Sequence, residues 1–234
     1  MKAIIKRELD AYFHSILGYM FLTFFSMLGG IMFFFNNIVA TTTSMTNFFS
    51  SIISWSVFFM PILTMRLFAD ERKTKTEQLL LTAPISIKEI VLGKFLGAFL
   101  MFMCSVLIFL IYPIVIGIYS TLPIAETVGC FVGFILFGGA VISIGAFMSS
   151  ITESQITAAI STYAVMLVLV LIQSLAGGVA SQALQKVLLW FSLIDRFDDF
   201  TAGILNVESI VFYLSITSLM LYFTVRVFEK RRVC

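Results

Sequence analysis

Residues 11–65 read AYFHSILGYMFLTFFSMLGGIMFFFNNIVATTTSMTNFFSSIISWSVFFMPILTM, without one Asp, Glu, Lys or Arg. A helix needs roughly 20 apolar residues to cross the hydrocarbon core of a bilayer, so this run is long enough for two crossings. The polar stretch at its centre, Asn36, Asn37, Thr41 to Ser44, Thr46 and Asn47, marks the turn between them. Four more uncharged runs each hold one crossing: Lys94 to Glu126, Glu126 to Glu153, Glu153 to Lys186 and Glu208 to Arg226. The count is six. Because the runs are continuously apolar they read as helices, whereas outer-membrane strands alternate over segments of about 10 residues.

Composition leads to the same class. Hydrophobic residues make up 60% of the chain and charged residues only 12%, where an ordinary soluble domain has roughly 25% charged. The bilayer is the solvent that accepts so much apolar surface. The expected fold is an all-α integral membrane protein with spans over 16–35, 48–68, 90–118, 128–148, 156–176 and 209–227. Ahead of the first span, residues 1–15 read as an amphipathic interfacial helix or as a disordered tail. In the helical reading Ile4, Ile5, Leu9, Tyr12 and Phe13 share the apolar face, with Lys2, Lys6 and Glu8 toward water.

Lys and Arg set the orientation. Residues 1–15, the 66–94 region and the C-terminus carry thirteen of them, and the other side only Lys186 and Arg196. The positive-inside rule then puts both termini in the cytoplasm of a multi-pass cell-membrane (inner-membrane) protein. The net charge of +2 does not point to nucleic acid. The first apolar stretch is too long for a signal-peptide core and lacks a small-x-small cleavage site. Cys104, Cys130 and Cys234 have no metal-ligand spacing.

Three segments outside the spans carry information. Residues 70–86, DERKTKTEQLLLTAPIS, are the most charged part of the chain. They read either as a solvated charge run or as a short amphipathic helix offering a face to something outside the bilayer. Ser86 is placed to cap the next helix, with Glu89 in the capping-box position. Two G-x-x-x-G pairs, Gly93/Gly97 and Gly129/Gly133, permit close helix approach, either within the subunit or between copies. The outer segment 177–206 is too apolar for a plain loop, and Trp190 suits the headgroup level. It reads as one or two short helices dipping into the outer leaflet, or as an extracellular loop.

The expected chemistry is that of a conduit. No ionisable residue stands near the middle of a span, where carriers and intramembrane hydrolases place Asp, Glu or His. Arg66 and Lys94 are close enough to the span ends to snorkel. A Walker A loop needs G-x-x-x-x-G-K-[ST], and Gly93-Lys94 is followed by Phe95 without the earlier glycine. Energy for transport would come from another subunit, although a channel or a non-transporting membrane subunit would lack the same features.

Three blocks add a resemblance over essentially the whole chain. They are Lys6-Arg7-Glu8-Leu9 with Tyr12-Phe13 and Gly18-Tyr19; Phe68-Ala69-Asp70-Glu71-Arg72-Lys73 through Leu79-Leu80-Leu81-Thr82-Ala83-Pro84 to Gly93-Lys94; and Phe197, Phe200 and Gly203 with Tyr213-Leu214-Ser215 and the closing Arg226 to Arg232. The chain resembles the permease subunits of the bacterial ABC-2 transporter family, and among them the six-span permeases grouped with gliding-motility and nitrous-oxide-reductase-maturation transporters. Many of those have glycine where Lys75 stands and glutamate where Gln78 stands.

The resemblance implies six transmembrane helices behind an N-terminal elbow helix, with a cytoplasmic coupling helix and short outer-leaflet helices before the last span. It implies work as two copies, or two related permeases, beside two cytoplasmic ABC ATPase subunits that bind ATP and magnesium. No cofactor, metal site or catalytic residue is implied on this chain. The residues that would dock the ATPase are Glu71, Arg72, Thr76, Leu79, Leu80, Leu81 and Pro84, with Thr152, Glu153 and Gln155 as a second cytoplasmic contact. Export or flipping toward the outside is the implied direction.

Overall fold

The computed structural model describes residues 2–74, 76, 86–176, 192–204 and 206–233. Among these residues all regular secondary structure is helical. In chain order the helices are α1 (Lys2–Phe13), α2 (Ile16–Phe33), α3 (Thr46–Thr64), α4 (Ala69–Lys73), α5 (Ile87–Phe109), α6 (Ile111–Tyr119), α7 (Ile124–Ile151), α8 (Gln155–Ala176), α9 (Asp195–Thr201) and α10 (Val207–Val233). Among the described residues six stretches are long and apolar enough to cross a membrane: Ile16–Val39, Thr46–Lys73, Ile87–Tyr119, Ile124–Ile151, Gln155–Ile172 and Val207–Arg232. The leucines Leu79 to Leu81, Pro84, and the outer stretch with Val187 to Phe191 lie outside the described residues.

Helix ends follow local chemistry. The Ser15 hydroxyl accepts the Gly18 N–H at 3.3 Å and starts α2, and Ser86 does the same for Glu89 at 3.3 Å to start α5. The first span does not stop at Phe35. It continues as a π-helical turn, Phe34–Val39, a form that inserts an extra residue per turn and is seldom seen outside special sites.

The fourth span, α7, is the hub. Its most apolar window is 78% buried, against 28% for the first span, 17% for the fifth and 22% for the sixth. The sequence explains this placement. Gly, Ala and Ser recur from Gly129 to Ser150, and small side chains let α3, α5, α8, α9 and α10 approach one rod. The space left is filled by phenylalanine, with Phe25, Phe48, Phe102, Phe109 and Phe134 all fully buried. Phe134 stands 5.2 Å from Phe102 and 6.2 Å from Phe109, ring centre to ring centre.

Both G-x-x-x-G pairs pack inside the subunit. A Cβ on Gly93 would sit 2.8 Å from Ile4 Cγ2, and one on Gly97 would sit 2.7 Å from Glu8 Cβ, so this pair is the seat of α1. On Gly129 and Gly133 it would meet the Phe200 carbonyl at 2.6 Å and the Phe200 ring at 2.8 Å. That pair seats α9, whose Phe197 and Phe200 are buried. Tyr213 of α10 ties the same corner by donating to the Leu193 carbonyl at 2.5 Å.

The N-terminal helix corrects one expectation. Its inward stripe is Ile4, Glu8 and Tyr12, spaced by four, and Glu8 is 9% exposed rather than facing water. Phe13, expected on the apolar face, is exposed. A buried cation on α5 draws Glu8 inward, and hydropathy alone gives no sign of it.

Candidate functional site

The entry to the charged segment after the second span is pinned by one serine. The chain leaves α3 at Thr64, turns through Met65–Phe68 and re-enters helix at Ala69. The first N–H groups of any helix lack intrahelical partners. Here the buried Ser149 hydroxyl, reaching across from α7, accepts from Phe68 N and Ala69 N at 3.1 Å each. It donates its own proton to the Met65 carbonyl, also at 3.1 Å. One donor and two lone pairs are all a serine hydroxyl has, so Ser149 is fully used in stitching the α3–α4 break to the hub.

Beside that break lies a buried charge cluster. Lys94 is 2% exposed. Its Nζ is 3.1 Å from Glu8 Oε1 and 3.0 Å from Glu71 Oε1, donates to the Leu67 carbonyl at 2.7 Å, and lies 5.4 Å from the Phe68 ring centre. Arg7 Nη2 is 2.9 Å from both Glu8 and Glu71. Two cations and two carboxylates balance, with Arg7 half-exposed at the rim and Lys94 sealed inside, and such pairing is the condition under which a charge is kept out of water. Lys94 therefore does not snorkel to the surface: it joins α1, α4 and α5 from within. Burial alone would depress the Arg7 guanidinium, but its bonds to Glu8 and Glu71 more than reverse this and hold its pKa above the ordinary value.

Arg72 of the first expected set meets Glu153 of the second, and Gln155 of the second reaches Asp70 beside it. Arg72 Nη2 meets Glu153 Oε1 at 2.6 Å, and Arg72 Nη1 donates to the Ile151 carbonyl at 3.0 Å. Gln155 Nε2 donates to Asp70 Oδ1 at 2.6 Å. Thr152 turns back to bond the Met148 carbonyl at 3.1 Å, and Arg231 from α10 donates to the Ser150 carbonyl at 2.6 Å. The helix α4 is thus braced on one flank by Lys94 and on the other by the α7–α8 connection.

The orientation of individual residues differs from the expectation of a row facing a partner. Glu71 points into the subunit, with its side chain 18% exposed. Arg72 is engaged by Glu153, whose side chain is 76% exposed. Thr76 is exposed and bonded to the Thr74 hydroxyl at 2.9 Å. Leu79, Leu80, Leu81 and Pro84 lie outside the described residues. Glu8, Asp70, Lys94 and Ser149 belong to this site and were not among the site residues expected from the sequence. Lys94 carried a signal: it is flanked by the Gly93/Gly97 pair, and a cation where a helix packs tightly needs a counter-ion on that helix.

Among the described residues no three His, Cys, Asp or Glu side chains gather closely enough to hold a metal ion. The arrangement holds helices together through paired charges and shared hydroxyls.

Six apolar helices, one of them a small-residue hub, with a charged short helix clamped between three of them at one end, define a polytopic membrane protein. The model of the family described as ABC-2 family transporter protein matches residues 39–225, and the chain belongs to that family. It is a transmembrane permease of an ABC transporter. Among curated proteins nothing matches the sequence.

Proposed function

We propose that this permease forms a translocation path as a dimer, with itself or a related permease, and exports or flips its substrate under the drive of separate cytoplasmic ATPase subunits that bind ATP and magnesium. The segment from α4 through Pro84 is the docking element, in the inner membrane of a bacterium with both termini in the cytoplasm. One observation carries the reading: α4 is fastened to α5 by Glu71–Lys94, to α1 through Arg7 and Glu8, and to the α7–α8 turn by Arg72–Glu153. A force applied at α4 therefore reaches the membrane helix α5 and the N-terminal helix α1 directly, and α7 and α8 through the short turn between them.

Roles within the segment divide accordingly. Glu71 is a brace inside the permease. Thr76, Leu79, Leu80 and Leu81 supply the face toward the ATPase, Pro84 ends the segment, and Glu153 and Gln155 position Arg72 and Asp70 beside it. Pairs at such a rim matter most when buried on docking, where truncating one partner can cost about 2–5 kcal/mol.

The test is purification of tagged permease from gently solubilised membranes, with identification of any protein carrying a Walker A loop. The double variant Arg72→Glu, Leu80→Asp should lose that protein and its nucleotide-driven transport in nanodiscs while staying monodisperse. Retention of the ATPase with normal transport would overturn the docking assignment.

A further inference from the structure

The third and sixth membrane helices pack together but leave an open groove. A slot of about 410 Å³ is walled by Val91 and Leu92 on α5 and by Leu221 and Val225 on α10. Lys88, Arg226 and Glu229 line its end and also line a larger hollow of about 1050 Å³ that reaches Lys230 and Arg232. The two are one groove, apolar along the helices and charged at the mouth.

The charge at the mouth is unbalanced. Among the described residues that line it, four cations, Lys88, Arg226, Lys230 and Arg232, face one carboxylate, Glu229. Arg226 is held in place: its Nε donates to the Tyr222 hydroxyl at 2.8 Å, its guanidinium lies 5.2 Å from that ring centre, and Nη1 is 3.5 Å from Glu229. Lys88, Lys230 and Arg232 are exposed and make no ion pair among the described residues. An anion at the mouth relieves their mutual repulsion, and a hydrocarbon chain fits the slot, where Leu92 is 38% exposed. A lipid with a phosphate headgroup carries both parts in one molecule. A zwitterionic headgroup would bring its own ammonium against the excess positive charge.

We infer that this groove binds one anionic phospholipid from the leaflet on the side of the chain termini, with its phosphate between Lys88 and Arg226 and an acyl chain along Leu92 and Leu221. Basic clusters just beyond a membrane helix attract anionic lipid; the walls supplied by two helices make this cluster a site. It stands apart from α4 and does not depend on the docking reading.

The experiment is native mass spectrometry of the full purified chain titrated with dioleoylphosphatidylglycerol, dioleoylphosphatidylcholine or soluble glycerol phosphate. The anionic lipid should be retained well below the concentration needed for the zwitterionic one. The variant Lys88→Ala, Arg226→Ala should weaken it about thirtyfold, about fivefold for each charge at an anionic surface. Leu92→Trp, which fills the slot, should weaken the anionic lipid as well. The pair Lys2→Ala, Lys6→Ala, on the same side of the membrane, should leave it unchanged. Equal retention of the two lipids, no loss in the groove variants, or an equal loss in the Lys2, Lys6 pair would overturn the site. So would glycerol phosphate binding as tightly as the lipid, which would make it a free-anion site. Release of the ATPase by the Lys88, Arg226 variant with lipid retention intact would assign the face to a protein partner instead.

Discussion

Glu71 Oε1 lies 3.0 Å from the ammonium of Lys94, although 23 positions of chain separate the two residues and the lysine is sealed from solvent. Glu71 belongs to the charged segment after the second span and Lys94 to the second turn of the third. The pair converts what reads as a surface charge run into an internal fastening.

Removing the lysine charge should therefore cost stability. Lys94→Met keeps the volume but leaves Glu8 and Glu71 facing each other with only Arg7 between them. Breaking a buried pair from one side costs about 3–5 kcal/mol, and the remaining Arg7 contact should keep the loss near the lower figure. Thermal unfolding in detergent reads it. Adding Glu71→Gln should restore part of the loss, because the second change removes a stranded charge. Additive losses in the two single variants and the double would show that the residues do not interact.

The Gly93/Gly97 seat makes a different prediction. Gly93→Leu would drive a side chain into Ile4, whose Cγ2 is 2.8 Å from the position of a Cβ. Overpacking of this kind costs about 1–3 kcal/mol, so α1 should open at least about fivefold more often. Limited trypsin digestion at Lys6 and Arg7 should speed up by the same factor. Gly117→Leu, where a Cβ meets nothing within 4 Å, should leave the rate alone. Equal rates in the two variants would mean α1 is not held by this seat.

Topology can be read with single cysteines in a background lacking the native three. Thr74 is exposed beside α4, and Asn47 is exposed at the start of α3. Asn47→Cys should react with an impermeant thiol reagent in intact cells, and Thr74→Cys only after the membrane is opened. Ser44 is unsuitable because its hydroxyl donates to Glu126. Labelling of Thr74→Cys from outside would reverse the orientation and remove the ATPase from α4.

The short helix α9 should respond to acid. Burial first, and then the nearby Asp195 and Asp199 carboxylates, raise the Asp198 pKa above the ordinary 3.8. A raised carboxyl favours the folded state in its protonated form. Its stabilising effect is complete below 3.8 and is lost as the pH rises through the higher native value. Asp198→Asn should therefore hold α9 at neutral pH as well as the acid form does, with a gain below about 1 kcal/mol because the side chain is only partly desolvated and still meets water. Hydrogen exchange of α9 amides across that range measures it. A loss of protection in the variant at neutral pH would contradict the sign.

How far the sequence carries is clearest at Glu8 and the glycine pairs. Hydropathy marks Ile4 and Tyr12 for burial correctly, yet it turns Glu8 outward, because a carboxylate is buried only when a partner is supplied from elsewhere. That partner is 86 residues away. The glycines announce close contact, but Gly93 and Gly97 receive α1 while Gly129 and Gly133 receive α9. The same motif carries no label for its occupant.

The sequence by itself determined the number and helical character of the crossings, since an uncharged, continuously apolar run of sufficient length is a local property and a helix is the one form in which a single segment satisfies its own backbone in a bilayer. It also determined the family, through the blocks around Glu71 and Phe197 within the matched residues 39–225. Only the tertiary structure decided that α7 is the hub, that Lys94 and Glu8 lie inside, and that the 70–73 and 151–155 regions form one polar cluster. Those outcomes depend on which helix faces meet, and a pairing energy between distant charges exists only once packing has brought them within about 3 Å and removed the water between them.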